Sequence, residues 1–421
     1  MARINAMLAE SSNAKPLVES LNADAKRLHP GLGFCGGERH DLSHLPEAMV
    51  QYVVSLLHEQ PIPPPDVALN VWRDFLFCLN PHWIIPLLYF KIKNLPEDYA
   101  PPEEITRQMR QAFLRSQARA LQMDVQLGEI MEALRQAGVR VVVLKGPALA
   151  RTVYPHIATR PSSDLDLLVA PEMVPTARSI LERLGYTCLD RKYDFAKHFY
   201  CEERFMSQVN TQSRRMIELH WFLYPVFRPR IEASIRDLID RAVTIAAGPV
   251  TFDVLHPVDA LMHQAIVNWA HHDRDLRLIW LSDLTLLAQH LTEPDDWNLL
   301  QERSVAWSAR LALELSLRLA QAWIGLQIPS GFDDFSTWPA PTSNERDMWI
   351  KVTQRHRRLL LHISQYWRGF ANPGKLLRGL LHLLFPDPAL MRLEFQPAEG
   401  WRLSVAYVRR WGTWLRKILP R

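Results

Sequence analysis

Asp164 and Asp166 stand two residues apart in the apolar stretch Ser163-Asp164-Leu165-Asp166-Leu167-Leu168-Val169. Side chains two apart on a strand point to one face, so an extended reading sets two carboxylates side by side. Held together away from water, they repel and lose solvation. A divalent cation removes both costs. One or two carboxylates with substrate phosphates are the usual way Mg2+ (or Mn2+) is held. The competing reading is a strand end that shows its acids to solvent, and D-x-D pairs are common enough that the pair alone decides little.

The neighbours add weight. Lys145-Gly146-Pro147 ends an apolar run and opens a helix. Backbone N–H groups at a helix start attract phosphate, and Lys145 adds a cation that reaches phosphate oxygens. Arg160 brings a second cation just before the acids, and Ser163 is grouped with these as a nucleotide contact. Each of the two cations has an equal reading as a surface residue. A third acid, Glu218, lies in Met216-Ile217-Glu218-Leu219-His220-Trp221, with His220 two residues on and so on the same face. Three carboxylates on adjacent strands suit two-metal nucleotidyl transfer. Two hold the metals, and the third completes a metal site or takes the proton of the attacking hydroxyl. For His220 the preferred reading is a satisfied core histidine.

The elements that must position these residues follow from the pattern. Residues 139–144 form a β-branched run, the mark of a buried strand. Residues 148–154 read as a helix, 165–169 as a second strand, and 171–185 as another helix. Further strands are expected within 186–221 and at 250–255. Before this core, helices are expected over 42–60 and 67–92, separated by a proline run at 61–65. A long helix follows from 101 to about 137, opened by proline and glutamate. After the core, helical spacing recurs over 259–270, 276–290, 297–300 and 308–326. Residues 329–345 read as a linker, and 346–385 and 401–419 as helices. The expected domains are an irregular segment 1–40, a helical region 41–137 and an α/β core 138–256. Helices 257–328 pack on that core, followed by the linker and a C-terminal helical region 346–421. The fold class is α+β.

The composition is that of a globular protein, 48% hydrophobic and 22% charged, so a sizeable core can form. A net charge of +4 fits an anionic substrate such as a nucleoside triphosphate without itself implying nucleic acid. Cys35, Cys78, Cys188 and Cys201 form no CxxC pair, so no zinc knuckle is expected; they read as reduced thiols in a cytoplasmic protein. No apolar leader opens residues 1–20, and no run reaches the length of a transmembrane segment, so neither is expected. Gly31-Leu32-Gly33-Phe34-Cys35-Gly36 fits a dinucleotide fingerprint only by letters, since no strand precedes it and no helix follows. His263, His271, His272, Asp273 and Asp275 have zinc-compatible types but read as a helix connection. Asp283 either pairs with an arginine such as Arg277 or lines the nucleotide cleft, and the structural part is the preferred reading. The 401–421 segment carries six basic residues, no acids and three tryptophans. It reads first as a terminal helix packing its aromatic face; contact with anionic lipid or nucleic acid is the alternative.

Several of these stretches together are recognisable. Val142-Val143-Leu144-Lys145-Gly146-Pro147-Ala148-Leu149-Ala150, Tyr154-Pro155, Arg160-Pro161-Ser162-Ser163-Asp164-Leu165-Asp166 and Leu184-Gly185-Tyr186 resemble the uncharacterised bacterial nucleotidyltransferase family of the DNA polymerase beta superfamily. Glu218-Leu219-His220-Trp221, Trp280 with Asp283, and Pro86-Leu87-Leu88-Tyr89 resemble further elements of that family. The likeness covers roughly residues 65–330. It implies a polymerase-beta-like core with a mixed sheet carrying the acids, and Mg2+-dependent transfer of a nucleotidyl group from a nucleoside triphosphate. It makes Asp164, Asp166 and Glu218 the metal-binding and catalytic carboxylates, and puts Lys145 and Gly146 where the superfamily's phosphate loop lies. This chain departs from the pattern at three points. Pro147 replaces the hydroxyl residue after the glycine, sixteen residues separate Pro147 from Asp164, and the third acid is Glu rather than Asp. Lys145 compensates for the first, as in related antitoxin-associated transferases. The acceptor is left open among a small molecule, a sugar, a protein and an RNA end. A nucleotide- or partner-binding protein on a degenerate transferase scaffold, and a toxin–antitoxin component, are the alternative readings.

Overall fold

The computed structural model describes residues 15–23, 33–34, 42–189, 193, 200–207, 216–224, 233–248, 250–270, 275–343, 345–346, 384–385, 388, 391–392 and 400–418. The chain divides into two compact units that interleave in sequence. Unit 1 comprises Met1–Gly128, Leu144–Ser163 and Ala242–Thr342; unit 2 comprises Glu129–Val143, Asp164–Arg241 and Ser343–Arg421. The class is α+β, with a mixed sheet and many helices, as expected.

Unit 1 is mainly helical. A short helix α1 (Lys15–Leu21) is followed by α2 (Glu47–Leu57), α3 (Leu69–Leu79) and α4 (Ile85–Ile92). Trp72, Phe75, Leu76 and Leu79 are buried in α3 at the three-and-four spacing of one helical face, with Cys78 buried beside them. Tyr52 meets Trp72 edge-on at 5.7 Å and Trp72 meets Phe75 at 5.3 Å, the arrangement that opposes positive ring edge to negative face. Helix α5 (Glu103–Gln136) starts with Glu103 and Glu104 in its first turn, against the positive end of its dipole. Its residues through Gly128 belong to unit 1.

Helix α6 (Lys145–Thr152) also belongs to unit 1. Later in the chain come α9 (Pro257–Ala270), α10 (Leu278–Gln289), α11 (Pro294–Ala306) and α12 (Arg310–Ile324). Helix α10 buries ten of its twelve residues, Asp283 among them, and so forms the centre of this bundle. Helix α12 ends at Gly325, whose φ of 80° is the left-handed cap glycine favours; an added Cβ would also stand 2.9 Å from the His58 ring. Two short strands, β7 (Val243–Ala247) and β8 (Val250–Val254), pair antiparallel. The sequence pattern shows β8 but not β7, whose residues are mostly exposed even though Val243, Ile245 and Ala247 share one face.

Of the Gly-rich hexapeptide at 31–36, only Gly33–Phe34 (β1) is described. It pairs in parallel with β9 (Asp275–Leu276), a structural use of those residues. His271, His272 and Asp273 lie outside the described residues, as does most of the 346–385 helix expected from sequence.

Unit 2 carries strands β2 (Val141–Leu144, through Val143), β3 (Asp164–Val169), β4 (Tyr186–Cys188), β5 (Glu202–Ser207) and β6 (Met216–His220), in the order β4-β5-β6-β3-β2. β3 and β6 are parallel, while β5 with β6 and β4 with β5 are antiparallel, so the sheet is mixed. All four residues of β2 are buried, as a β-branched run between neighbours requires. In β3, Leu165, Leu167 and Val169 are fully buried on one face, which leaves Asp164 and Asp166 on the other.

Helix α7 (Val174–Arg183) buries Val174, Ala177, Arg178, Ile180 and Leu181 along one stripe. Arg178 donates from Nε and Nη2 to the two oxygens of Glu203 at 3.0 and 2.9 Å, a buried fork that ties α7 to β5. The short helix α8 (Ile235–Asp240) is capped by Ser234, whose hydroxyl accepts from the Asp237 amide. Helix α13 (Trp401–Ile418) packs Tyr407 and Trp411 against Phe385, and Trp411 Nε1 donates to the Leu384 carbonyl. Trp401 is 74% exposed, so the described part of the helix packs only some of its aromatic residues. No single described helix is long and apolar enough to cross a membrane.

Candidate active site

The register of three strands builds the acidic cluster. Across the parallel β3–β6 pair Asp166 stands opposite Glu218, and across the antiparallel β5–β6 pair Arg204 stands opposite Glu218 and Glu202 opposite His220. Paired residues and those two apart share a face. One face of this sheet therefore carries Asp164, Asp166, Glu218, His220, Glu202 and Arg204. Sequence reasoning identified the first four and missed Glu202 and Arg204. Their alternation with buried Glu203 and Phe205 marks a strand, but nothing in the sequence gives its register.

The carboxylates converge around one imidazole. Nε2 of His220 is 3.0 Å from Asp166 Oδ1 and 3.6 Å from Glu218 Oε2, and Nδ1 is 3.6 Å from Glu202 Oε2. Asp166 and His220 are buried, whereas Glu218 keeps 19% of its side chain in solvent. Burial alone lowers the affinity of His220 for its second proton. The hydrogen bond to Asp166, with Cys201, Glu218 and Glu202 close by, overrides it and raises the imidazole well above its ordinary range. The histidine read as a core residue is thus buried but also bonded to the principal acid. Asp166, Glu218 and His220 place ligand atoms within 4.8 Å of one another. Asp164, partly exposed at the start of β3 and opposite Met216, is not a member of that group. The oxygen donors Asp166 and Glu218 suit a hard cation such as Mg2+.

The expected phosphate-binding residues belong to unit 1. Lys145 opens α6 with φ 52°, after an extended Leu144. A left-handed conformation in a residue with a Cβ costs about 1–2 kcal/mol and turns successive backbone N–H groups in the manner of anion-binding nests. Gly146 is required by close approach: a Cβ there would lie 1.9 Å from Ser162 Oγ and 2.9 Å from Ser162 Cβ. That oxygen is buried and has no hydrogen-bond partner among the described residues. Ser163 is exposed, and its carbonyl accepts from Arg119 Nη2 at 2.9 Å.

Arg160 differs from the sequence expectation of a phosphate-facing cation. Its Nε and Nη2 donate to Asp283 Oδ1 and Oδ2 at 2.7 and 2.8 Å, and its Nη1 donates to the Pro161 carbonyl at 2.7 Å. Tyr154 donates to the same Asp283 at 2.7 Å, and burial, with the Asp283 charge, raises its phenol well above the ordinary value. Asp283 is structural and arginine-paired, as expected, but its partner is Arg160. Arg277 lies instead over the Trp83 and Trp280 rings. The 160–163 loop that covers Gly146 is thus anchored through Asp283 to the centre of α10.

The model of the uncharacterised nucleotidyltransferase family matches residues 70–325, more than half of the chain. The chain belongs to this family. The matched region of this nucleotidyltransferase-family chain contains both the acidic cluster and the Lys145–Ser163 segment. Among curated proteins none matches it. A solved structure, an antigenic nucleotidyltransferase-like protein from Paracoccidioides brasiliensis, is similar at 11% identity over 46% of this chain and 90% of that one, with a TM-score of 0.29. A likeness that slight carries no weight here.

Proposed function

We propose that the chain is a nucleotidyltransferase that moves a nucleoside monophosphate from a nucleoside triphosphate to an acceptor hydroxyl, with Mg2+ (or Mn2+) bound at Asp166 and Glu218. The observation that carries this reading is the register of β3 on β6, which sets Asp166 opposite Glu218 on one face. Family membership supports the reaction class. The unit 2 sheet is the natural candidate for a polymerase-beta-like core.

Asp164, on the same face of β3, is the further oxygen donor. Lys145 and the amides at the start of α6 hold the triphosphate, Gly146 lets its backbone approach, and Ser163 is a polar contact beside them. Arg160 acts as a positioning residue, fixing the loop that lies on Gly146. The acceptor oxygen forms a bond to the α-phosphorus as the bond to the bridging oxygen breaks and pyrophosphate leaves. Glu218, which keeps 19% of its side chain in solvent, takes the acceptor's proton. Bound metal supplies charge stabilisation at the phosphate oxygens. His220 orients Asp166 through Nε2.

The test is transfer of label from an α-labelled triphosphate to a panel of small-molecule, protein and RNA acceptors, with Asp166→Asn as the control. A second reading, a nucleotide-binding protein on a degenerate scaffold, is favoured by the engagement of Asp166 with His220 and by Pro147 at the phosphate loop. It predicts triphosphate binding with no transfer to any acceptor.

A further inference from the structure

The imidazole of His220 faces two different ligand sets. Its Nε2 meets Asp166 and Glu218, while its Nδ1 faces Glu202; Cys201, Glu202 and His220 place ligand atoms within 4.8 Å of one another. Nδ1 is buried in a side chain that is 1% exposed and has no hydrogen-bond partner among the described residues. Cys201 is itself buried, and its carbonyl accepts from the Trp221 amide at 2.8 Å, which fixes it beside the end of β6. The Glu202↔His220 pairing fixes the carboxylate.

We propose that Cys201 Sγ, Glu202 Oε2 and His220 Nδ1 bind a zinc ion, separate from the cation assigned to Asp166 and Glu218. A thiolate, a carboxylate and an imidazole form a three-ligand zinc set that leaves a fourth position for water. Ligands about 2.0–2.3 Å from Zn2+ stand about 3.3–3.8 Å apart at the corners of a tetrahedron. Cys201 Sγ and His220 Nδ1 each lie 3.6 Å from Glu202 Oε2. The other side of the ring fits as well. A metal-bound histidine characteristically gives its second N–H to a carboxylate, and Nε2 stands 3.0 Å from Asp166. With a proton on Nε2 and zinc on Nδ1, the imidazole is neutral. Binding releases the thiol proton of Cys201 and the proton otherwise held at Nδ1. The soft sulfur selects zinc over magnesium, while the oxygen donors Asp166 and Glu218 keep the opposite preference. The ring thereby couples the two sites through Asp166.

The experiment uses the full chain, purified without a histidine tag. Zinc affinity is measured by competition with a chromogenic chelator in excess Mg2+, and Co2+ serves as the spectroscopic probe. The expected result is one tight zinc per chain and a near-ultraviolet thiolate-to-cobalt band. Cys201→Ser abolishes the band and weakens zinc by at least about 10-fold, the loss seen even for outer partners, while Cys188→Ser changes neither. Should Cys201→Ser fail to fold, Glu202→Gln, at a partly exposed position, serves with the same expected loss of affinity. Asp166→Asn keeps the cobalt band, because the amide oxygen still accepts from Nε2, whereas the proposed transfer activity disappears. The two readings are thus tested apart. A wild-type chain with no cobalt–thiolate band, or a band that persists in Cys201→Ser, would overturn the site.

Discussion

Asp166 Oδ1 and His220 Nε2 lie 3.0 Å apart, both side chains buried, at the centre of the polar face of the unit 2 sheet. The carboxylate assigned to metal therefore also orients a ring whose other nitrogen faces Glu202. Replacing His220 with Asn or Gln keeps a donor of different reach. The expectation is a metal affinity lowered by about 10–100-fold, as for lost outer-shell partners. Titrating Mn2+ by its own paramagnetism, with circular dichroism to confirm folding, checks it; an affinity equal to wild type would remove His220 from the account.

Gly146 admits no side chain while Ser162 stands against it. Gly146→Ala should displace the 160–163 loop and weaken triphosphate binding by roughly 10-fold or more, on the scale of one charge-assisted hydrogen bond. Because both Cβ and Oγ of Ser162 lie in the way, Ser162→Gly should restore binding in the double variant. Ser162→Ala should restore it only in part. Equilibrium binding of a non-hydrolysable triphosphate separates these outcomes, and an unimpaired Gly146→Ala would mean the backbone does not approach phosphate there.

Lys145 combines a left-handed backbone with a cationic side chain. Asparagine tolerates that conformation best among residues with a side chain. Lys145→Asn should keep the fold and lose triphosphate affinity by about 10–100-fold, whereas Lys145→Val should also lower the melting temperature. Identical behaviour of the two variants would argue that the charge, not the backbone, is all that matters.

The Arg160–Asp283 fork is buried on both sides, with side-chain exposures of 5% and 0%. Removing one partner of such a pair leaves an uncompensated charge, worth about 3–5 kcal/mol. Asp283→Ala and Arg160→Ala should each destabilise unit 1 by that order. Tyr154→Phe, which loses one hydrogen bond to the same carboxylate, should cost about 1–2 kcal/mol. Denaturant unfolding measures all three; a destabilisation below about 1 kcal/mol for Asp283→Ala would show that the pair does not hold the loop.

These residues also show what was legible in the sequence. The buried strands at 141–144 and 164–169 were plain, because β-branched and leucine-rich runs leave few alternatives. The helices at 69–79 and 310–324 were equally clear from their spacing. Asp166 and Glu218 are grouped in the sequence by their strand contexts, but their direct pairing is not visible there, since strand register is a long-range property that local pattern does not carry. For the same reason the sequence does not bring Cys201, read only as a reduced thiol, and Glu202 together with His220. Zinc ligands legible in a sequence lie close along the chain, whereas His220 comes from the strand beside that of Glu202. The local sequence around Arg160 shows no partner for it because Asp283 lies 123 positions away. The 243–247 strand is short and mostly exposed, so its apolar residues do not mark it as part of a core.

The most direct test of the central claim is the affinity of a non-hydrolysable nucleoside triphosphate, measured by calorimetry with and without Mg2+, in the wild type, Asp166→Asn and Glu218→Gln. Binding in the wild type is expected to strengthen at least about 10-fold with Mg2+, with that gain lost in both folded variants. Binding indifferent to Mg2+, or a Mg2+ gain that survives in Glu218→Gln and Asp166→Asn alike, would contradict it.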